Sequence, residues 1–234
     1  MNDLKVCAER FNIEISDRQL EQFQIYYEML IEKNKVMNLT AITEKKEVIR
    51  KHFLDSIAIL KYEDLSVKKV IDIGTGAGFP GIPLKIMRPD MELTLLDSLN
   101  KRILFLNEVV EALKLENVNT IHGRAEDYAH NSDYRGQYDY VISRAVANLA
   151  TLSEYCIPFV RVGGCFISYK SGNMEEELKN SKNAIFLCGG KYKKIEKFIL
   201  PDSDMERSFI FIEKMQNTAK QYPRKSGIPS KNPL

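Results

Sequence analysis

Residues 67–81 read Val67-Lys68-Lys69-Val70-Ile71-Asp72-Ile73-Gly74-Thr75-Gly76-Ala77-Gly78-Phe79-Pro80-Gly81, an apolar run that breaks into alternating glycines. The run Val67–Ile73 predicts a buried strand, the glycines a tight turn, and Pro80 the first turn of a helix. Glycine suits a backbone that approaches a ligand closely, at angles a Cβ would obstruct. Such a turn alone does not name the ligand, because dinucleotide enzymes use one too. Two details separate the readings. The spacing is Gly-x-Gly-x-Gly, whereas a dinucleotide loop prefers Gly-x-Gly-x-x-Gly. Asp72 also stands two residues before the first glycine, where a carboxylate would repel a pyrophosphate by an energy on the order of kilocalories. S-adenosylmethionine instead carries an ammonium and a sulfonium, and the charge argument favours this methyl donor.

Outward from the loop, short apolar runs alternate with amphipathic stretches. Val67–Ile73, Glu92–Leu96, Val118–Ile121, Tyr138–Ser143 and Cys165–Lys170 predict strands; Ile82–Met87, Lys101–Leu115, Leu149–Val160 and Glu175–Leu187 predict helices. Strand and helix in regular alternation predict an α/β domain, with a parallel sheet covered on both faces. Lys191–Leu200 and Ser208–Glu213, separated by Pro201-Asp202-Ser203-Asp204, predict an antiparallel pair at the end of that sheet. Asp97 ends the second strand, where an acidic side chain can accept both ribose hydroxyls of a nucleoside. Arg124-Ala125-Glu126 follows the third strand, where the chain passes the adenine, so base contacts are expected from the backbone or from Glu126.

Before residue 65 nothing alternates like a strand. Ser16 and Gln19 form a capping box, and Leu20, Phe23, Tyr27, Leu30 and Ile31 follow at helical spacing. A second helix after Thr43 carries Ile49, Phe53, Ile57 and Leu60. The organisation expected is a helical cap over 1–64, a catalytic domain over 65–214 and a tail over 215–234, too rich in Pro, Gly and Ser to form an element.

With 44% hydrophobic and 28% charged residues the chain can bury a real core. No run approaches the roughly 18 apolar residues of a membrane span, and the N-terminus does not resemble an export signal, so a cytoplasmic protein is expected. Cys7, Cys156, Cys165 and Cys188 form no zinc spacing, nor do the scattered His52, His122 and His130, so no metal is expected. A net charge of +2 excludes a uniformly basic coat, yet from Lys214 onward the chain carries +5 with no acid, leaving −3 for the rest. That tail, with Lys101 and Arg102, is a candidate for phosphate contact, against the plainer reading of a solvated terminus. Tyr222 could stack on a base. Lys191, Lys193, Lys194 and Lys197 fit equally a charged guard on a sheet edge.

The segment Asp72-Ile73-Gly74-Thr75-Gly76-Ala77-Gly78-Phe79-Pro80-Gly81-Ile82-Pro83 closely resembles the first motif of the glucose-inhibited division protein B family. These are bacterial small-subunit ribosomal RNA guanine-N7 methyltransferases. Further matches run in the same order: Asn38-Leu39-Thr40, His52-Phe53-Leu54-Asp55-Ser56, Leu96-Asp97-Ser98 with Lys101-Arg102, Arg124-Ala125-Glu126, Ser143-Arg144-Ala145-Val146-Ala147, and the ending from Tyr222 to Pro233. Lys170-Ser171-Gly172 departs slightly from the family's usual Lys-Gly. The resemblance implies a Rossmann-like class I methyltransferase with a mostly parallel seven-stranded sheet. It implies S-adenosylmethionine as donor and a guanine in the decoding region of 16S rRNA as target, free or in a small-subunit particle. It carries Gly74, Phe79, Ala125, Glu126 and Arg144 over as cofactor positions. Asp72 and Gly76 join them through the loop argument and Asp97 through the ribose argument, and a monomer is expected.

Guanine N7 has an available lone pair, so methylation needs no proton removed first and no dedicated base; orientation is the enzyme's task. Ser143-Arg144-Ala145-Val146-Ala147 agrees, lacking the Asn-Pro-Pro-aromatic pattern of enzymes that methylate exocyclic amines. Arg144, at the end of a parallel strand, is the best candidate for a donor or guanine contact, with a salt bridge as the alternative. His52, Asp55 and Ser56 share one helix face, a poor geometry for a hydrolytic triad, and brace the helix instead. Three other functions stay open on the sequence: a small-molecule methyltransferase, a nicotinamide-dependent oxidoreductase, and a non-catalytic ribosome-assembly module.

Overall fold

The glycine motif's own strand is the first of seven in a computed structural model that describes residues 1–144, 147–172 and 174–234. Ala145 and Val146 of the motif after the fourth strand lie outside the described residues. The strands are β1 Lys69–Ile73, β2 Glu92–Asp97, β3 Val118–His122, β4 Tyr138–Arg144, β5 Val160–Ser171, β6 Gly190–Ile199 and β7 Glu206–Lys214. They form one sheet in the order β3-β2-β1-β4-β5-β7-β6. β1 to β5 run parallel, and β7 is antiparallel to both β5 and β6. This is the mostly parallel, seven-stranded α/β fold expected. The chain winds outward from β1 to β3 and then returns to β4 on the other side of β1. Strand order therefore reverses between β1 and β4, and a crevice opens outside their carboxyl ends.

The helices are α1 Asn2–Glu9, α2 Asp17–Met37, α3 Lys45–Val48, α4 Asp55–Ile57, α5 Gly81–Met87, α6 Asn100–Ala112, α7 Ala125–Tyr128, α8 Leu149–Cys156, α9 Glu175–Asn180, α10 Lys182–Leu187 and α11 Ile228–Lys231. None is long and apolar enough to cross a membrane. Alternate residues of β1 serve two core layers. Val70 packs with α2, α5 and α6, while Ile71 and Ile73 pack with α8 and α10. Phe23, Leu30, Phe53 and Ile57 belong to the first layer, so the N-terminal helices share their core with the sheet.

Several expectations need correction. The helix at the capping box of Ser16 and Gln19 forms as read. Its deepest line, however, is Phe23, Tyr26 and Leu30, while Leu20 and Tyr27 are only partly covered. The helix after Thr43 is not uniform: α3 passes into a π-helical stretch, Ile49–Leu54, before α4, and Ala58–Lys61 tightens to 3-10. The helix expected over Leu149–Val160 ends at Cys156, because Pro158 lacks the N–H that would continue it; Val160 already begins β5. Glu175–Leu187 divides at Ser181 into α9 and α10. The tail does contain an element, α11, and Tyr222 and Pro229 are buried against the domain.

Candidate functional site

The glycine loop leaves β1 with Gly76 at φ +63° and Gly78 at φ +103°, a region that side chains rarely adopt. A Cβ on Gly78 would stand 2.7 Å from the Tyr26 hydroxyl and 2.9 Å from Leu106, so this glycine permits close packing on the cap. At Gly76 the space is open, and the nearest atom to such a Cβ would be Gly74 O at 4.0 Å. Two side chains tie the loop down. Tyr26 donates its hydroxyl to Ala77 O at 2.5 Å, and Asp97 Oδ2 accepts from Gly76 N at 2.9 Å. Phe79 packs into an aromatic group with Tyr26, Phe53 and His52, whose ring stacks on it at 4.5 Å. Pro80 stands just before α5 rather than inside its first turn.

Asp72 is fully buried beneath this loop. Its Oδ2 accepts from the Thr75 hydroxyl at 2.8 Å and from Gly81 N at 2.9 Å. Oδ1 is buried without a hydrogen-bond partner among the described residues. Burial outweighs these bonds and lifts the carboxyl from 3.8 to about 7. The negative wall inferred from the sequence is thus only partly charged at neutral pH. Its unmet oxygen is suited to a cation-bearing ligand and ill-suited to a pyrophosphate, which offers only acceptors.

Beside the loop lies a cavity of about 410 Å³ lined by Gly74, Asp97, Arg102, Ala125, Glu126 and Tyr155, among others. Gly74, Asp97, Ala125 and Glu126, from three separate βα junctions, are therefore brought together as expected. Asp72, Gly76 and Phe79 are not among its lining residues: Asp72 braces the loop from within, Phe79 packs it on the cap, and Gly76 belongs to the turn itself. Asp97 Oδ1 also accepts from Leu99 N at 2.9 Å, and its carboxylate pairs with Arg102 at 3.2 Å. Arg102 therefore serves the cavity wall, a role that its reading as a phosphate contact missed. The fit to S-adenosylmethionine is good: a carboxylate for ribose hydroxyls, a backbone turn for the base and a buried carboxyl beneath the loop.

Arg144 lies on the other side of the loop. Its Nη1 donates to Asp55 Oδ2 at 2.9 Å and to Lys51 O at 2.9 Å, and its guanidinium stands 5.2 Å from the Phe79 ring centre. It lines a second cavity, of about 570 Å³, with His52, Asp55, Tyr169, Lys170 and Arg207. No described residue lines both cavities. The salt-bridge alternative for Arg144 is realised, and the side chain still faces open space.

Asp55 is clamped by a second ion pair, with Arg207 at 3.1 Å. An arginine can only donate, so His52 Nδ1 accepts from Arg144 Nη2 at 3.2 Å. Nε2 then carries the proton and donates to Thr40 Oγ1 at 2.8 Å. Burial and Arg144 lower His52 to about 3, so it is neutral in this site. Ser56 donates to His52 O at 2.5 Å. Of the trio expected to brace the helix, the Ser56 side chain alone bonds back to the π-helical stretch, while His52 and Asp55 reach out to Thr40, Arg144 and Arg207.

Several basic residues are not where their sequence reading put them. Lys214 is buried with its amine among Ile157 O, Cys188 O and Thr218 Oγ1, and burial lowers it to about 7. Arg224 is paired with Glu154 at 2.8 Å, and Tyr222 is buried rather than free to stack on a base. Lys220, Lys225 and Lys231 stay exposed. Lys191, Lys193, Lys194 and Lys197 lie on β6, the outer strand of the sheet, where the edge-guard reading applies. Tyr26 and Tyr155 were overlooked. A stripe of Phe23, Tyr26 and Leu30 at i, i+3 and i+7 was available to point to the first; nothing in the sequence marks the second.

Residues 19–208 match the GidB family, described as rRNA small subunit methyltransferase G. The chain is 54% identical over 223 residues to the ribosomal RNA small subunit methyltransferase G of Lachnoclostridium phytofermentans, spanning 95% of this chain and 92% of that one. It is 50% identical over 232 residues to the protein of the same name from Clostridium novyi, spanning 99% and 96%. Among solved structures, it is similar to M. jannaschii TYW2 in complex with AdoMet, with a TM-score of 0.56, 15% identity, and 75% and 80% of the two chains covered. It is also similar to YcgJ from Bacillus subtilis, with a TM-score of 0.56, 12% identity, and 71% and 100% covered. At such identities these structural likenesses concern the fold alone.

Proposed function

The chain belongs to the GidB family of rRNA small subunit methyltransferases G, and from that premise we propose that it methylates N7 of a guanine in the decoding region of 16S rRNA. The donor is S-adenosylmethionine, which supplies a methyl group on a positively charged sulfur. The observation that carries the reading is the pair of cavities flanking one glycine loop at the point where strand order reverses. In this reading, Asp97 accepts the ribose hydroxyls, Ala125 and Glu126 bound the adenine, and the turn that starts at Gly74 receives the charged end, with the buried Asp72 carboxyl beneath it.

The second cavity takes the guanine. Arg144, pinned by Asp55 and backed by the Phe79 ring, presents a donor to O6 of the base and leaves the N7 lone pair free. Tyr169 and Phe209 supply apolar wall. No base is required, since N7 attacks through its own lone pair. The residues agree: His52 is neutral with its free nitrogen engaged, and both Asp55 oxygens are held by arginines. What remains for the protein is to hold the reacting atoms in line.

We further propose that the chain works as a cytoplasmic monomer and that rRNA is presented within a small-subunit particle. Incubating free 16S rRNA and small subunits with enzyme and donor, then mapping the modified nucleotide, tests both reaction and substrate form. A methyl at a guanine N7 is expected; methylation at an exocyclic amine or on no RNA at all would overturn the assignment. A calorimetric titration of S-adenosylmethionine against a nicotinamide dinucleotide separates the donor reading from the oxidoreductase one.

A further inference from the structure

The C-terminal segment, 215–234, docks against one wall of the donor cavity. Arg224 donates to Glu154 from its backbone N–H at 2.6 Å, Nε at 3.0 Å and Nη2 at 2.8 Å. Glu154 is fully buried on α8, and Arg224 is its ion-pair partner. Gly227 N–H donates to Glu126 Oε1 at 3.1 Å, and the Tyr155 hydroxyl lies against both Glu126 and Ser230. Glu126 and Tyr155 are lining residues of the cavity. Away from it, Arg135 donates to Thr218 O at 2.8 Å and Tyr222 O at 3.0 Å, and His130 to Pro223 O at 2.8 Å. The segment is held mainly by directed polar bonds, with few buried side chains, so it can release locally at far less cost than global unfolding.

We propose that the C-terminal segment is a positioning element of the donor site. Arg224 holds it down, Gly227 and Ser230 set Glu126 and Tyr155, and segment docking and donor binding strengthen each other. The inference rests on the donor reading above. Coupling of two binding events is reciprocal: whatever factor the docked segment adds to donor affinity, bound donor adds to docking.

Trypsin reads this directly, since Lys220 and Lys225 are exposed in the segment and cleavable once it lifts. On the full chain, saturating S-adenosylmethionine is expected to slow cleavage there by about ten-fold or more, within the usual range of coupling between sites. Cleavage at Lys191 or Lys193 on the far edge strand should not change. Arg224→Ala should raise the donor's Kd and KM by about ten-fold, and the milder Ser230→Ala by a few-fold, with kcat at saturating donor within about two-fold of the parent. A purely structural segment would lower stability without this split. If calorimetry shows donor bound while Lys220 and Lys225 are cut at the same rate with and without it, the coupling is refuted and the donor assignment stands. Absence of donor binding would overturn both.

Discussion

Burial lifts the Asp72 carboxyl from 3.8 to about 7, and this single group ties stability to ligand binding. Its folded value lies above its unfolded one, so the folded chain holds the proton longer, and stability is lost as pH rises from about 4 through about 7. Asp72→Asn removes this penalty. It is expected to melt at or above the parent's temperature at pH 8, with the advantage shrinking by pH 5, in a thermal scan across pH. The same substitution should weaken S-adenosylmethionine by about ten-fold or more, since the buried acceptor can no longer ionise toward a cation. For the parent, donor affinity should rise from pH 6 to 8, with a proton released on binding; calorimetry in buffers of different ionisation heat measures that proton. His52, lowered to about 3, should contribute no limb to the rate profile above pH 5.

At the scale of elements, the cap and the loop act together through Tyr26. Tyr26→Phe keeps the ring stacking but strands the Ala77 carbonyl, at a cost of roughly 1–3 kcal/mol for an unmet buried group. A melting temperature lower by several degrees and a donor Kd raised a few-fold are expected; an unchanged Kd would mean that the loop holds its shape without the cap. Element type was legible wherever periodicity was strong. β1 to β4, the β6–β7 pair and the capped start of α2 all follow from local pattern. What escaped reading were the places where tertiary packing overrides local preference. Ile49–Leu54 takes a π form with no residue type that demands it, and α8 stops at a proline whose effect the apolar run around it obscured. In the site, the glycines, Asp97 and Glu126 could be read because backbone and charge constrain them. Arg102, Tyr155 and the role of Arg207 could not, because each acts on a partner that no local pattern singles out.

Across the whole molecule, the N-terminal helices and the sheet share one apolar layer, from Leu30 and Phe53 to Val70 and Leu95. Removing residues 1–64 should therefore leave no folded remainder: circular dichroism of such a truncation should show no cooperative melt, whereas the full chain should melt in one transition. Charge also reads differently at this scale. Of the five cations counted from Lys214 onward, one is buried and one is paired, leaving Lys220, Lys225 and Lys231 for any outside partner. Replacing those three by Gln should reduce the logarithmic salt slope of RNA binding by at most about 2, since each phosphate neutralised on a single strand adds roughly 0.7 to it.

Because the two cavities have no described lining residue in common, filling one leaves the walls of the other free, and only the methyl group and N7 must come into line between them. Spent nucleoside can be exchanged for fresh while the ribosomal substrate stays in place, and either reactant can arrive first. Initial-rate patterns should accordingly show random rather than compulsory order, and a chase with fresh donor should restart turnover without the RNA dissociating.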